Sequence, residues 1–171
     1  MRRFFIIIIL CMMAQTAMAR DVYQQPQAFI NDVFNGNVPK PKMLWVTKEL
    51  APDIKEILGH ELRVLRLRYW QRDGKSAWIL EEIGKEQPIT TGIVINDNRI
   101  EQVKVLIYRE NRGMEVRYPF FTDQYKGATL HKNKQLDRNI DGISGATLSV
   151  RALTKLARLA LYLHNHADGT P

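Results

Sequence analysis

Cysteine is almost absent: Cys11 is the only one among 171 residues. A single cysteine excludes an internal disulfide and a Cys-x-x-Cys-His haem attachment, and loss of Cys11 with a cleaved leader would exclude a thiolate metal site as well. The four histidines have no metal-ligand spacing, so no structural metal is expected. A dense basic run is also missing. The formal net charge of +7 is spread along the chain, which predicts a solvated basic surface and no nucleic-acid groove. G-x-x-x-x-G-K-[ST] does not occur, so there is no P-loop. Gly142-Ile143-Ser144-Gly145-Ala146 comes near a G-x-S-x-G nucleophile elbow. It lacks the last glycine, and His164 and His166 lie at the far end of the same predicted helix. Long apolar runs are limited to the first residues. Arg2-Arg3, the apolar run Phe4 to Met13 and Ala17-Met18-Ala19 read as a secretory signal over residues 1–19, with cleavage after Ala19. Its removal would leave no cysteine and would take two positive charges away. The expected location is the periplasm.

What remains has the composition of one globular domain over 20–171, with a helical and strand segment at 20–75 and a core at 76–166. Pro26 to Phe34 carries weak helical periodicity, and Pro39 and Pro41 mark an extended connector. Thr47 is placed to cap a helix running through Leu58, with Gly59 as its stop. A strand is expected in "ELRVLRLRYWQR", joined through Asp73-Gly74 to a second in "SAWILEEIG". A further pair follows at Ile93 to Ile95 and Ile100 to Tyr108, with a turn at Asn96 to Asn98. Two successive hairpins imply an antiparallel sheet and an α+β fold. A loop-rich stretch, Asn111 to Asn139, leads to a long terminal helix from Ser144 to about His164. On that helix Leu148, Ala152, Leu153, Leu156, Leu159, Ala160 and Leu163 share a broad apolar arc opposite Arg151, Lys155 and Arg158.

An amphipathic helix closing a core accounts for the arc but not for the residues at its start, "DGISGATLS" from Asp141 to Ser149. The first turn of a helix offers unpaired N–H groups and partial positive charge, which suit a phosphate. Gly145 and Ala146 keep side-chain bulk low there. Ser144 is the expected N-cap, and Arg151 lies one turn beyond Thr147, leaning back toward it. A second Gly-Ala-Thr, at Gly127-Ala128-Thr129, lacks the serine and the downstream hydroxyl, and so serves as an internal control that should remain unmodified.

The nine residues resemble the flavinylation motif D-x-x-[ST]-G-A-T-x-[ST] of the FMN-binding domain family. That family includes flavin-carrying components of the sodium-pumping NADH:quinone reductase and of the Rnf electron-transport complex, and small exported single-domain proteins. The likeness extends upstream through "GIVINDNRIEQVKVLIYRENRG" and "FFTDQYKG", covering roughly Ser76 to His164. Glu110-Asn111-Arg112-Gly113 stands where the members from the larger complexes usually have Glu-Thr-Pro-Gly. The resemblance implies FMN held on Thr147 by a phosphodiester bond made by an exported flavin transferase that uses FAD. Asp141, Ser144, Gly145 and Ala146 are then its recognition context, with Leu148, Arg151 and Glu110 near the cofactor. It further implies extracytoplasmic electron transport with a membrane-bound or periplasmic reductase or cytochrome. A flavin-dependent reductase of a small substrate and a non-redox assembly or sensor module are the alternatives. Trp45, Trp70, Trp78, Tyr108, Tyr118, Phe120 and Phe121 are candidate ring neighbours, each with core packing as its competing role.

Overall fold

The computed structural model describes residues 21–167; the leader read over 1–19 lies outside them. Six strands form one antiparallel sheet in the order β1-β6-β5-β4-β3-β2. Their ranges are β1 Asp21–Val22, β2 Lys42–Trp45, β3 Arg66–Arg72, β4 Lys75–Ile83, β5 Pro88–Asn96 and β6 Arg99–Tyr108. Helices α1 (Pro26–Val33) and α2 (Leu50–Leu58) interrupt the first strands. After β6 come a 3-10 turn at Met114–Arg117, the short α3 (Pro119–Thr122), a second 3-10 turn at Asp123–Tyr125 and the long α4 (Thr147–Ala167). The architecture is α+β, as the hairpin signals predict, and the sheet runs without a break from the 20–75 segment into the 76–166 segment.

Turn chemistry sets the hairpins. Asp73 and Gly74 both have positive φ, at 49° and 75°, and so do Asp97 and Asn98, at 49° and 60°. Two consecutive positive-φ residues match the right-handed twist of the flanking strands. β5 is central and buried on both faces from Ile89 to Ile95. Sequence periodicity therefore marks only its end, at Ile93 to Ile95, because a strand covered on both sides does not alternate. β3 begins at Arg66, later than the pattern from Glu61 predicts, and Val64 and Leu65 before it are exposed. β2 occupies the stretch read as an extended connector.

α4 and α2 cover one face of the sheet. There Trp78 stacks on Tyr69 at 4.7 Å, and Leu153, Leu156, Leu159, Ala160 and Leu163 are fully buried. α1 covers the other face with Phe29, Ile30 and Phe34 over Trp70, Ala77, Val94, Leu106 and Ile107. The Phe29 ring lies so close to Gly92 that a Cβ there would meet it at 2.5 Å, which fixes glycine at that position.

β4, α4 and the segment after α2 are tied together at one buried carboxylate. Glu82 accepts from Lys155 Nζ at 3.1 Å and from His60 Nε2 at 2.9 Å. His60 Nδ1 donates to the Glu61 carbonyl at 3.0 Å. Both ring nitrogens face acceptors, which stabilises the imidazolium form. The Glu61 carbonyl and the Glu82 carboxylate hold the His60 pKa above its ordinary 6.5. This contribution to stability is complete below pH 6.5 and is lost as pH rises through the raised value. Urea unfolding between pH 6 and 9 should show stability falling across that window, and His60→Gln should flatten the fall.

Candidate functional site

The start of α4 is set by the glycine before it. Ala146 N–H donates to the Ile143 carbonyl at 3.0 Å, closing a four-residue turn whose third residue, Gly145, has φ 81°. A residue in that left-handed region cannot belong to the helix. The helix therefore begins after Gly145, and Ala146 is its N-cap: the Ala146 carbonyl accepts from Val150 N–H at 2.9 Å. Ser144, the expected cap, sits in the turn instead, exposed. The N–H groups of Thr147, Leu148 and Ser149 precede the first intrahelical bond and carry the partial positive charge of the helix end.

Two loops are locked against this turn. Tyr108 donates its hydroxyl proton to the Arg112 carbonyl, so the 2.9 Å contact between Tyr108 and Ser149 is a bond donated by the Ser149 hydroxyl. Burial raises the Tyr108 pKa and keeps the phenol protonated. Gly113, at φ 83°, packs so tightly that a Cβ there would lie 3.0 Å from Ser149 Oγ and 3.2 Å from Ala146 Cβ. Glu110 holds the second loop. Its Oε1 accepts the backbone N–H groups of Lys85, of Glu86 at 2.7 Å and of Gln87 at 2.9 Å. Gly84 leaves room for this carboxylate, since a Cβ there would meet Oε1 at 2.9 Å. Bonds to a charged acceptor contribute about 1.5–3 kcal/mol each, but water can replace part of that at an accessible loop. Glu110→Ala should therefore lose about 2 kcal/mol in chemical denaturation, and Glu110→Gln should lose less.

Between these loops and the helix start lies a cleft of about 610 Å³ lined by Lys85, Glu86, Glu110, Asn111, Arg112 and residues 145–149. Of the residues predicted from sequence, Glu110, Gly145, Ala146, Thr147 and Leu148 meet here. Asp141 lies upstream, exposed, with its N–H donated to Gln124 Oε1 at 2.7 Å. Arg151 lines a different groove, on the side of segment 135–140, together with Arg138, Lys155 and Arg158. The cations at the Thr147 cleft are instead Lys85 and Arg112. Sequence reasoning passed over both, although Arg112 stands inside the glutamate-containing loop that it had marked. None of the seven candidate aromatics lines the cleft. Trp70, Trp78, Tyr108 and Phe121 are core residues, while Trp45, Tyr118 and Phe120 are exposed elsewhere.

The motif thus divides by physical role. Gly145 sets the backbone, and Ala146 and Ser149 are buried and fasten the turn. Asp141, Ser144, Thr147 and Leu148 present exposed side chains. The control behaves differently. Thr129 is half-buried outside any helix and donates its hydroxyl to Asp137 at 3.0 Å. Asp137, paired chiefly with Arg138, is pushed down to about 2 and remains an acceptor at any ordinary pH.

Residues 84–162 match the family model of the FMN-binding domain. The matched range holds every residue of the Thr147 cleft. No curated protein and no solved structure matches the chain significantly.

Proposed function

The chain is a member of the FMN-binding domain family through residues 84–162, and on that premise we propose an exported flavoprotein that carries FMN on Thr147 and passes electrons outside the cytoplasm. The single observation that carries the reading is the position of Thr147. It is the first residue of a 21-residue helix, exposed, in a cleft that also holds two cations.

The donor set fits a phosphate-bearing group. The free N–H groups of the first turn and the side chains of Lys85 and Arg112 are suited to a phosphodiester, which keeps one negative charge. Attachment by the transferase would join the Thr147 oxygen to the flavin-side phosphorus of FAD, with the hydroxyl proton passing to a base of the transferase and AMP leaving as the pyrophosphate bond breaks. The exposed Asp141, Ser144 and Leu148 are free to be read by the transferase that performs this step. When bound, the flavin supplies one- or two-electron redox chemistry. Thr147 tethers it, Glu110 fixes the loop facing it, and Ser149 and Tyr108 hold the helix tip in register. A cleft open to solvent and lined mainly by polar side chains favours exchange with a redox partner over turnover of an enclosed small substrate.

The test is flavin fluorescence in a denaturing gel after co-expression with an FAD-dependent flavin transferase. The protein band should fluoresce only when the transferase is present. A band that stays dark while a known substrate of the same transferase lights up would refute the attachment.

A further inference from the structure

The sheet face under α1 is only partly covered. Beyond the α1 residues that seal Trp70 and its neighbours, a groove of about 660 Å³ runs toward the β2–β3 edge, with Met43, Arg66, Arg68, Trp70 and Ile79 in its lining. Register places these side chains together. Met43 is opposite Arg68 and Trp45 opposite Arg66, so all four share this face, while Leu44 and Tyr69 point into the core on the other. Trp45 is 53% exposed, and the Arg66 guanidinium lies 5.6 Å from its ring centroid. Among the described residues neither Arg66 nor Arg68 is paired with a carboxylate.

We infer that this face rests on the surface of an anionic phospholipid bilayer. Separate protruding apolar side chains among unpaired arginines fit a headgroup layer, where apolar insertion and attraction to anionic lipid act together. A tryptophan under an arginine suits that depth, because both present an apolar body and a polar tip. An acidic protein strand is a poorer occupant, since β2 offers an edge of only four residues for pairing. The Thr147 cleft involves α4, on the opposite face of the sheet, so docking in this way leaves the cleft uncovered. The inference does not depend on the flavin reading.

The test is co-sedimentation of the full exported protein with vesicles of phosphatidylcholine alone or mixed with phosphatidylglycerol. The protein should pellet with the mixed vesicles only and be released by salt. The double variant Arg66→Glu, Arg68→Glu should bind about tenfold more weakly or worse. Trp45→Ala, a milder change on the same face, should weaken binding a few-fold. Trp70 and Trp78 are buried, so iodide quenching reports Trp45, which the mixed vesicles should shield. Equal binding to neutral vesicles, unchanged binding of the double variant, or undiminished quenching in the bound state would overturn the inference. Binding poly-glutamate as tightly as the mixed vesicles would also overturn it and assign the face to an acidic polypeptide.

Discussion

Thr147→Ala should abolish covalent flavin while leaving unfolding stability within about 0.5 kcal/mol of the parent, the usual range for an exposed substitution. The Thr147 side chain is exposed on the surface of the helix tip. Thr147→Ser keeps a hydroxyl on the same helix tip and should retain measurable attachment. The neighbouring residues separate recognition from structure. Asp141→Asn and Ser144→Ala should reduce attachment without moving the melting temperature, because both side chains are exposed. Ser149→Ala should lower the melting temperature, because it removes a buried hydroxyl that pairs with Tyr108. If Asp141→Asn destabilised the fold and Ser149→Ala did not, the division of the motif would be wrong.

Gly113→Ala should destabilise the protein by about 2–4 kcal/mol and sharply lower flavin attachment. A left-handed backbone costs a non-glycine residue about 1–2 kcal/mol. The new methyl would also press on Ser149, Tyr108 and Ala146 at 3.0–3.2 Å, and overpacking of that kind costs about 1–3 kcal/mol. Those neighbours are the residues that set the helix tip, so the strain falls directly on the Thr147 cleft. Urea denaturation and attachment yield should change together. The contrasting substitution is Gly145→Ala, which has open space around the added Cβ and only the backbone cost at φ 81°. It should lose less stability than Gly113→Ala.

The parts of this fold that the sequence announces are those governed by local chemistry. Asp73-Gly74 marks its hairpin because two positive-φ residues are needed there. The leucines of α4 mark a buried face because the helix repeats its contacts every turn. Leu148 extends the same arc in sequence, yet it is exposed and lines the Thr147 cleft. β5 is under-read because it is buried on both faces, and β1 and β2 because two and four residues are too short to display a period. The Thr147 motif is legible as a cluster of residue types. Its supports are not. Glu110 is anchored by backbone N–H groups about 25 residues away, and a main-chain donor leaves no signature in residue identity. Arg112 and Lys85 reach the cleft from separate loops, whereas Arg151, the sequence choice, is four residues along the helix from Thr147 but faces the groove beside segment 135–140.

The central claim is that one hydroxyl, on Thr147, carries the cofactor. Tryptic peptide mapping of protein secreted beside an active flavin transferase tests it directly, because the two Gly-Ala-Thr sites fall on different fragments. Thr147 lies in the peptide Asn139 to Arg151, and Thr129 in the peptide Gly127 to Lys132. The prediction is an FMN mass increment on the first peptide alone, localised to Thr147 by fragmentation. An increment on the Thr129 peptide, or none on either, would contradict it.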